Sequence, residues 1–136
     1  MKEGLFKIAL LVIAAIAAGA TAPARADGDG KALFLKNCAA CHQPTGKGIP
    51  GAFPALAGNK FVQGKSTDVA TVLLKGRGGM PDFSESLSDQ DISTILSFVR
   101  SSWGNQAAPL SEAEVMALRD VLQVEPFSNG QMSNKH

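Results

Sequence analysis

The sequence predicts an all-α fold. Two segments carry apolar residues at helical spacing behind a capping start, Ser88 with Asp91 and Ser111 with Glu114. No run alternates apolar and polar residues with β-branched enrichment, as a half-buried strand would. No repeat of solenoid length occurs, and 136 residues suffice for one small domain and not for two.

The first 26 residues read as a leader. Lys2 and Lys7 make a positive start, residues 8–20 are unbroken apolar chain, and Ala24-Arg25-Ala26 supplies a small-x-small cleavage pattern. The competing reading is an uncleaved membrane anchor. Thirteen helical residues reach roughly 20 Å, short of the roughly 30 Å hydrocarbon core, which favours cleavage after Ala26. The remaining 110 residues carry 10 basic and 11 acidic side chains, a net charge of −1. That balance excludes nucleic-acid binding by bulk charge.

After the leader, a helix is expected from about Gly30 to Cys38 with Asp29 as its N-cap. The segment from Gln43 to about Lys65 is dense in glycine and proline. So long a structureless stretch in a small domain is usually functional. A short helix is expected from about Thr67 to Lys75, capped by Ser66 or Thr67, with Val69, Val72 and Leu73 on its buried side. "GRGGMPDF" interrupts regular structure, since its three glycines permit unusual backbone and Pro81 discourages helix at Met80. The helix after Ser88 buries Ile92, Ile95, Leu96, Val99 and Trp103, with Gly104 as its C′ residue. The last helix begins at Ser111 with Val115, Leu118, Val121 and Leu122 as its apolar stripe. The tail beyond Pro126 is polar.

The chemistry concentrates in Cys38-Ala39-Ala40-Cys41-His42, which holds both cysteines of the chain. A structural zinc site needs four ligands, and this motif offers three at most; His136, the other histidine, lies at the extreme tail. A redox CxxC expects a βαβ setting and a helix N-terminus, whereas this one follows a helix. Cys-x-x-Cys-His is the attachment signature of c-type haem. Two thiols one helical turn apart can add to the two vinyl groups of the porphyrin, and His42 is then carried beneath the iron. An export leader agrees, because bacteria attach this haem outside the cytoplasm. A haem also completes the core of a chain with few aromatics.

The group on the far side of the iron decides the chemistry: a six-coordinate haem passes electrons, and a five-coordinate one can bind ligands. Met1 lies in the leader, Met116 within a helix and Met132 in the tail. Met80 lies in the glycine-rich loop, from which a thioether can reach the haem without breaking a helix, and is the expected second iron ligand.

"CAACH", "FPALAG", "GMPDF" and "LSDQDISTILSFVRSSWGN" follow one another in the order of the class I monohaem cytochromes c, which the chain resembles over about residues 28–104. The resemblance implies a cytochrome c fold around one covalent haem c, with the first and last core helices crossing. Gly30 and Phe98 match the glycine and aromatic of that crossing, and Phe34 the aromatic one turn before the first cysteine. Pro54 matches the proline whose carbonyl orients the proximal imidazole, and Leu56 would pack on the haem. With the leader pattern, the expected division is leader (1–26), cytochrome domain (27–104) and C-terminal extension with a short helix and loose tail (105–136).

The chain has no tyrosine, so the tyrosine that contacts the methionine sulfur in some members is missing. Asn59 is a candidate substitute, and Arg77 and Trp103 are candidate partners of the haem propionates.

The function these features imply is a periplasmic single-electron carrier and not an enzyme. "GIPGAFPALAG", the "WGN" ending and the extra helix look most like bacterial cytochromes that feed terminal oxidases or reductases. Similar endings occur in cytochrome subunits of periplasmic dehydrogenases, so that alternative stays open. A third class is a haem protein with an open iron site. A monomer is expected, touching the membrane only through a partner or a retained leader. Residues 27–77 carry a net charge of +4 and residues 78–136 one of −5. The lysines of the first half could steer an acidic partner, or form an ordinary solvated face. Ile49, Ala52 and Phe53 are candidates for an apolar docking face.

Overall fold

In the computed structural model the described residues are 27–128. The leader, Met132 and His136 lie outside them. Five helices follow in order: α1 (Asp27–Asn37), α2 (Ala39–His42), α3 (Ser66–Lys75), α4 (Asp89–Ser101) and α5 (Glu112–Leu122). No strand occurs among the described residues, only two isolated bridges, Ile49 with Phe53 and Arg77 with Met80. None of the described helices is long and apolar enough to cross a membrane.

The frame is the pairing of α1 with α4. Gly30 makes it possible: a Cβ there would sit 2.6 Å from the Phe98 Cβ and 3.0 Å from the Thr94 carbonyl oxygen. The bare backbone of α1 therefore rests directly on α4. Phe34, one turn further along α1, is fully buried. Its ring meets Phe98 at 5.8 Å and Trp103 at 5.0 Å, the second edge-on. α1 is already helical at Asp27, so Asp29 lies within the helix and does not cap it. The helix stops one residue short of the first cysteine.

α4 keeps its expected start. Ser88 Oγ accepts from the Asp91 amide, and the Asp91 carboxylate accepts from the Ser88 amide. Ile92, Ile95, Leu96 and Val99 are buried at helical spacing. The end comes earlier than Gly104 suggested. The Ser101 and Ser102 hydroxyls donate back to the carbonyls of Ser97 and Phe98 at 2.8 and 2.6 Å, so the last turn is satisfied by its own side chains. Trp103 then turns through φ +52°, bringing its ring onto Phe34, Phe98 and the backbone of Gly46.

α3 contributes Val69, Ala70, Leu73 and Leu74 to the core; Val72 is only half-buried. Its N-cap is Lys65, without a side-chain bond, so Ser66 is already the first helical residue. α5 opens with the expected capping box of Ser111 and Glu114 and packs on α3 and α4. Its buried face is Val115 and Arg119, with Leu118 and Leu122 half-buried. Val121 is 78% exposed, against expectation. Positions 115, 118, 119 and 122 share one helical face, and 121 is turned well away from it. The apolar core runs past Gly104, through Leu110 and Val115.

The closeness of α1 and α4 predicts the cost of one added methyl. Gly30→Ala should destabilise the holoprotein by about 1–3 kcal/mol, the usual cost of overpacking, read as a lower denaturation midpoint with unchanged slope. An unchanged midpoint would mean that the helices can separate freely.

Candidate functional site

The attachment turn hangs from the end of α1. The Cys38 amide still donates to the Phe34 carbonyl at 2.8 Å, but Cys38 departs from helical geometry at φ −124°. A single new turn, α2, then closes on it, with the amides of Cys41 and His42 donating to the Cys38 carbonyl at 3.2 and 3.0 Å. Both thiols are free. Burial pushes the Cys38 thiol up to about 11, with Cys41 adding in the same direction. That is opposite to a redox CxxC, whose nucleophile works through a lowered pKa. Among the described residues, no three His, Cys, Asp or Glu side chains converge as a site for a metal ion alone.

His42 is 8% exposed, and its Nδ1 lies 2.9 Å from the Pro54 carbonyl oxygen. A carbonyl only accepts, so Nδ1 carries the hydrogen and Nε2 keeps its lone pair. This is how a metal-binding histidine is oriented, with one ring nitrogen anchored and the other left as ligand. The bond is possible because the glycine-rich loop folds back tightly. Gly48 donates to the His42 carbonyl at 2.9 Å, and the amides of Leu56 and Ala57 donate to the Gly46 carbonyl at 2.7 and 3.0 Å. Gly46, at φ +67°, has no room for a side chain, because a Cβ would meet the Trp103 ring at 2.5 Å.

Met80 arrives on a separate loop. Its amide and carbonyl pair with those of Arg77 at 3.0 and 3.1 Å, and the Phe83 amide donates to the Leu73 carbonyl at 2.7 Å, tying the loop to α3. Met80 and Leu56 are half-buried and pack against the same apolar core. The donor set fits a c-type haem: two reduced thiols a turn apart, one imidazole with an oriented Nε2, and one loop-borne thioether.

The three candidates for side roles have the following contacts. Asn59 is occupied within its own loop, donating to the Ala55 carbonyl at 2.8 Å and accepting from the amides of Phe61 and Val62. Arg77 lies over the Phe61 ring at 5.0 Å. Trp103 belongs to the aromatic cluster with Phe34 and Phe98.

Two polar residues that the sequence reading passed over hold the loop around Leu56 in place. Asn105, 3% exposed, accepts from the Gly58 amide at 2.8 Å and donates to the carbonyls of Leu56 and Val99 at 3.0 and 2.9 Å. Arg100 is buried in α4 and donates to the carbonyls of Val62, Gly64 and Ala108. Neither has a local pattern, since their partners lie up to 49 positions away. The one available signal was an arginine beside Val99 on the buried side of a well-patterned helix.

Comparison with known proteins points to the cytochromes c. Residues 25–99 match the family model described as cytochrome c oxidase, cbb3-type, subunit III. The chain is 36% identical over 104 residues to the cytochrome c subunit of the quinone alcohol dehydrogenase of Gluconacetobacter polyoxogenes, using 67% of this chain but only 22% of that longer protein. It is 32% identical over 122 residues to cytochrome c-552 of Thermus thermophilus, using 74% of this chain and 80% of that protein. A solved cytochrome c6 from the diatom Phaeodactylum tricornutum overlays with a TM-score of 0.49 at 27% identity, over 57% of this chain and 93% of that one.

Truncating Asn105 would take the partner from the Gly58 amide and the Val99 carbonyl and leave the Leu56 carbonyl with only the 3.3 Å bond from the Asn59 amide. Asn105→Ala should lower the unfolding free energy of the holoprotein by about 2–3 kcal/mol, as expected for unsatisfied buried groups. A loss below about 0.5 kcal/mol, the level of an ordinary surface change, would show that the loop holds itself.

Proposed function

The chain belongs to the cytochrome c family, and from that premise we propose that Cys38, Cys41, His42 and Met80 hold its haem c as a low-reorganisation electron-transfer centre. The family's members are electron carriers and not enzymes, and this chain carries single electrons through a covalent haem c. When bound, the haem supplies one-electron chemistry between ferrous and ferric iron. The observation that carries the residue assignment is the His42 Nδ1 to Pro54 bond inside the Cys38–His42 turn.

Cys38 and Cys41 anchor the group through thioether bonds, so it cannot dissociate. His42 binds through Nε2, and its bond to Pro54 raises the basicity of the imidazole. Met80 supplies a soft thioether that favours the ferrous state and raises the reduction potential. Both ligands sit on short, hydrogen-bonded segments, so little has to move when the charge changes.

The partner is a redox protein. The match to the oxidase-linked family model supports delivery to a terminal oxidase or reductase. The similarity to dehydrogenase cytochrome subunits supports a second reading, transfer within a dehydrogenase complex. The leader pattern of residues 1–26 supports action in the periplasm. Lys31, Lys36, Lys47, Lys60, Lys65 and Lys75 are all exposed, as are Ile49, Ala52 and Phe53. Exposed lysines in excess over acids in this half of the chain suit an acidic partner.

Met80→Ala should abolish the methionine–iron charge-transfer band, admit carbon monoxide to the ferrous form, and lower the potential by on the order of 100 mV within the roughly 0.8 V that axial ligands command. A variant with the wild-type spectrum and potential would remove Met80 from the iron. The association rate with an acidic redox partner should fall several-fold between about 0.01 and 0.15 M ionic strength as the Debye length shrinks from about 30 to 8 Å. A rate indifferent to salt would leave the apolar face as the docking surface.

A further inference from the structure

Arg119 sits on α5, in the part of the chain beyond the family resemblance, and is only 2% exposed. Its guanidinium is not spent on its own helix. Nε donates to the carboxylate of Asp89, the first residue of α4. Nη1 donates to the Ser84 carbonyl at 2.9 Å and the Glu125 carbonyl at 3.0 Å, and Nη2 to the Leu87 carbonyl at 2.9 Å. Three of its four partners therefore lie between residues 84 and 89, on the chain that leads from Met80 into α4.

That chain also carries Leu87, buried in the apolar core, and Phe83, packed against it, while its polar bonds are mostly local. The amides of Ser86 and Leu87 turn back to the Phe83 carbonyl, and the Ser84 amide and hydroxyl bond the Asp82 carboxylate. These bonds shape a turn without fixing it to the body of the protein. The Phe83 amide on the Leu73 carbonyl is the tie on the α3 side. Arg119 is the corresponding tie on the α5 side. A planar five-donor fork meets several carbonyls and a carboxylate at once, which a flexible ammonium cannot do.

We propose that Arg119 is a positioning residue for the distal ligand: through Ser84, Leu87 and Asp89 it holds the Met80 loop closed over the iron. The inference rests on the assignment of Met80 as that ligand. An external ligand can bind only when Met80 has swung away, so its apparent affinity scales with the population of the open loop. Loosening the clamp raises that population without changing any atom that touches the haem.

The test is imidazole binding to the ferric holoprotein, followed optically, beside denaturant unfolding of the same samples. Four proteins are compared: wild type, Arg119→Ala, Met80→Ala, and Val115→Ala. Val115 is fully buried on the same helix but has no bond to residues 84–89, so its truncation weakens α5 docking alone. Arg119→Ala should bind imidazole about tenfold more tightly than wild type, the change that a tenfold rise in open loop produces. Val115→Ala, compared at matched global stability with denaturant, should stay within about twofold of wild type by the same relation. If Arg119→Ala proves too unstable, Arg119→Lys, with its charge kept but its fork lost, should lie between the two. Equal affinities for the Arg119 and Val115 variants at matched stability would reduce Arg119 to a helix anchor and overturn the proposal. If Met80→Ala binds imidazole no better than wild type, the ligand assignment itself fails. If Met80→Ala binds better while the Arg119 variants do not, only the clamp fails.

Discussion

The close approach of α1 and α4 at Gly30 is the constraint on which the other parts depend. It fixes the axis from which the attachment turn hangs, because Cys38 follows α1 directly and still bonds to Phe34. It also fixes both ends of α4, and each end holds one of the long loops. At the C-terminal end, Arg100 and Asn105 grip the loop from Leu56 to Gly64. At the N-terminal end, Asp89 and Arg119 grip the chain after Met80. Loops that shape themselves by backbone bonds are thus pinned to the helical frame by buried polar side chains, whose removal would leave buried carbonyls and amides unpaired.

This division of labour suits an electron carrier of the cytochrome c family. Electron transfer needs two ligands that stay in place while the charge changes, yet the two proposed here, His42 and Met80, lie 38 positions apart. A helix could hold both only by being continuous between them. A frame of two helices with clamped loops achieves the same rigidity and leaves the loops free to wrap the group. His42 is oriented by a backbone carbonyl, and Met80 is proposed to be held at a distance, through the chain that follows it.

Much of this was legible in the sequence because it is local. The Cys-x-x-Cys-His spacing, the capping boxes at Ser88 and Ser111, and the glycine-rich loop around Met80 each declare themselves within a few residues. The resemblance added the Gly30–Phe98 contact and the Pro54 bond to His42, both present in the structure. The clamps were not legible. Besides one partner six positions away each, Asn105 and Arg119 hold groups 47–49 and 30–35 positions away respectively, and no local pattern records such distances. Val121 is apolar but lies off the face that carries Val115, Leu118 and Leu122. On that face the position belongs to Arg119, and a charge between Leu118 and Leu122 was the signal of a buried, multiply bonded arginine.

The central claim is that His42 and Met80 are the two protein ligands of the iron. X-ray absorption at the iron edge of the ferric holoprotein tests it most directly, because sulfur and nitrogen scatter differently. The wild type should show one sulfur and five nitrogen scatterers, and Met80→Ala no sulfur. A first shell without sulfur in the wild type, or a sulfur that survives the loss of Met80, would contradict it.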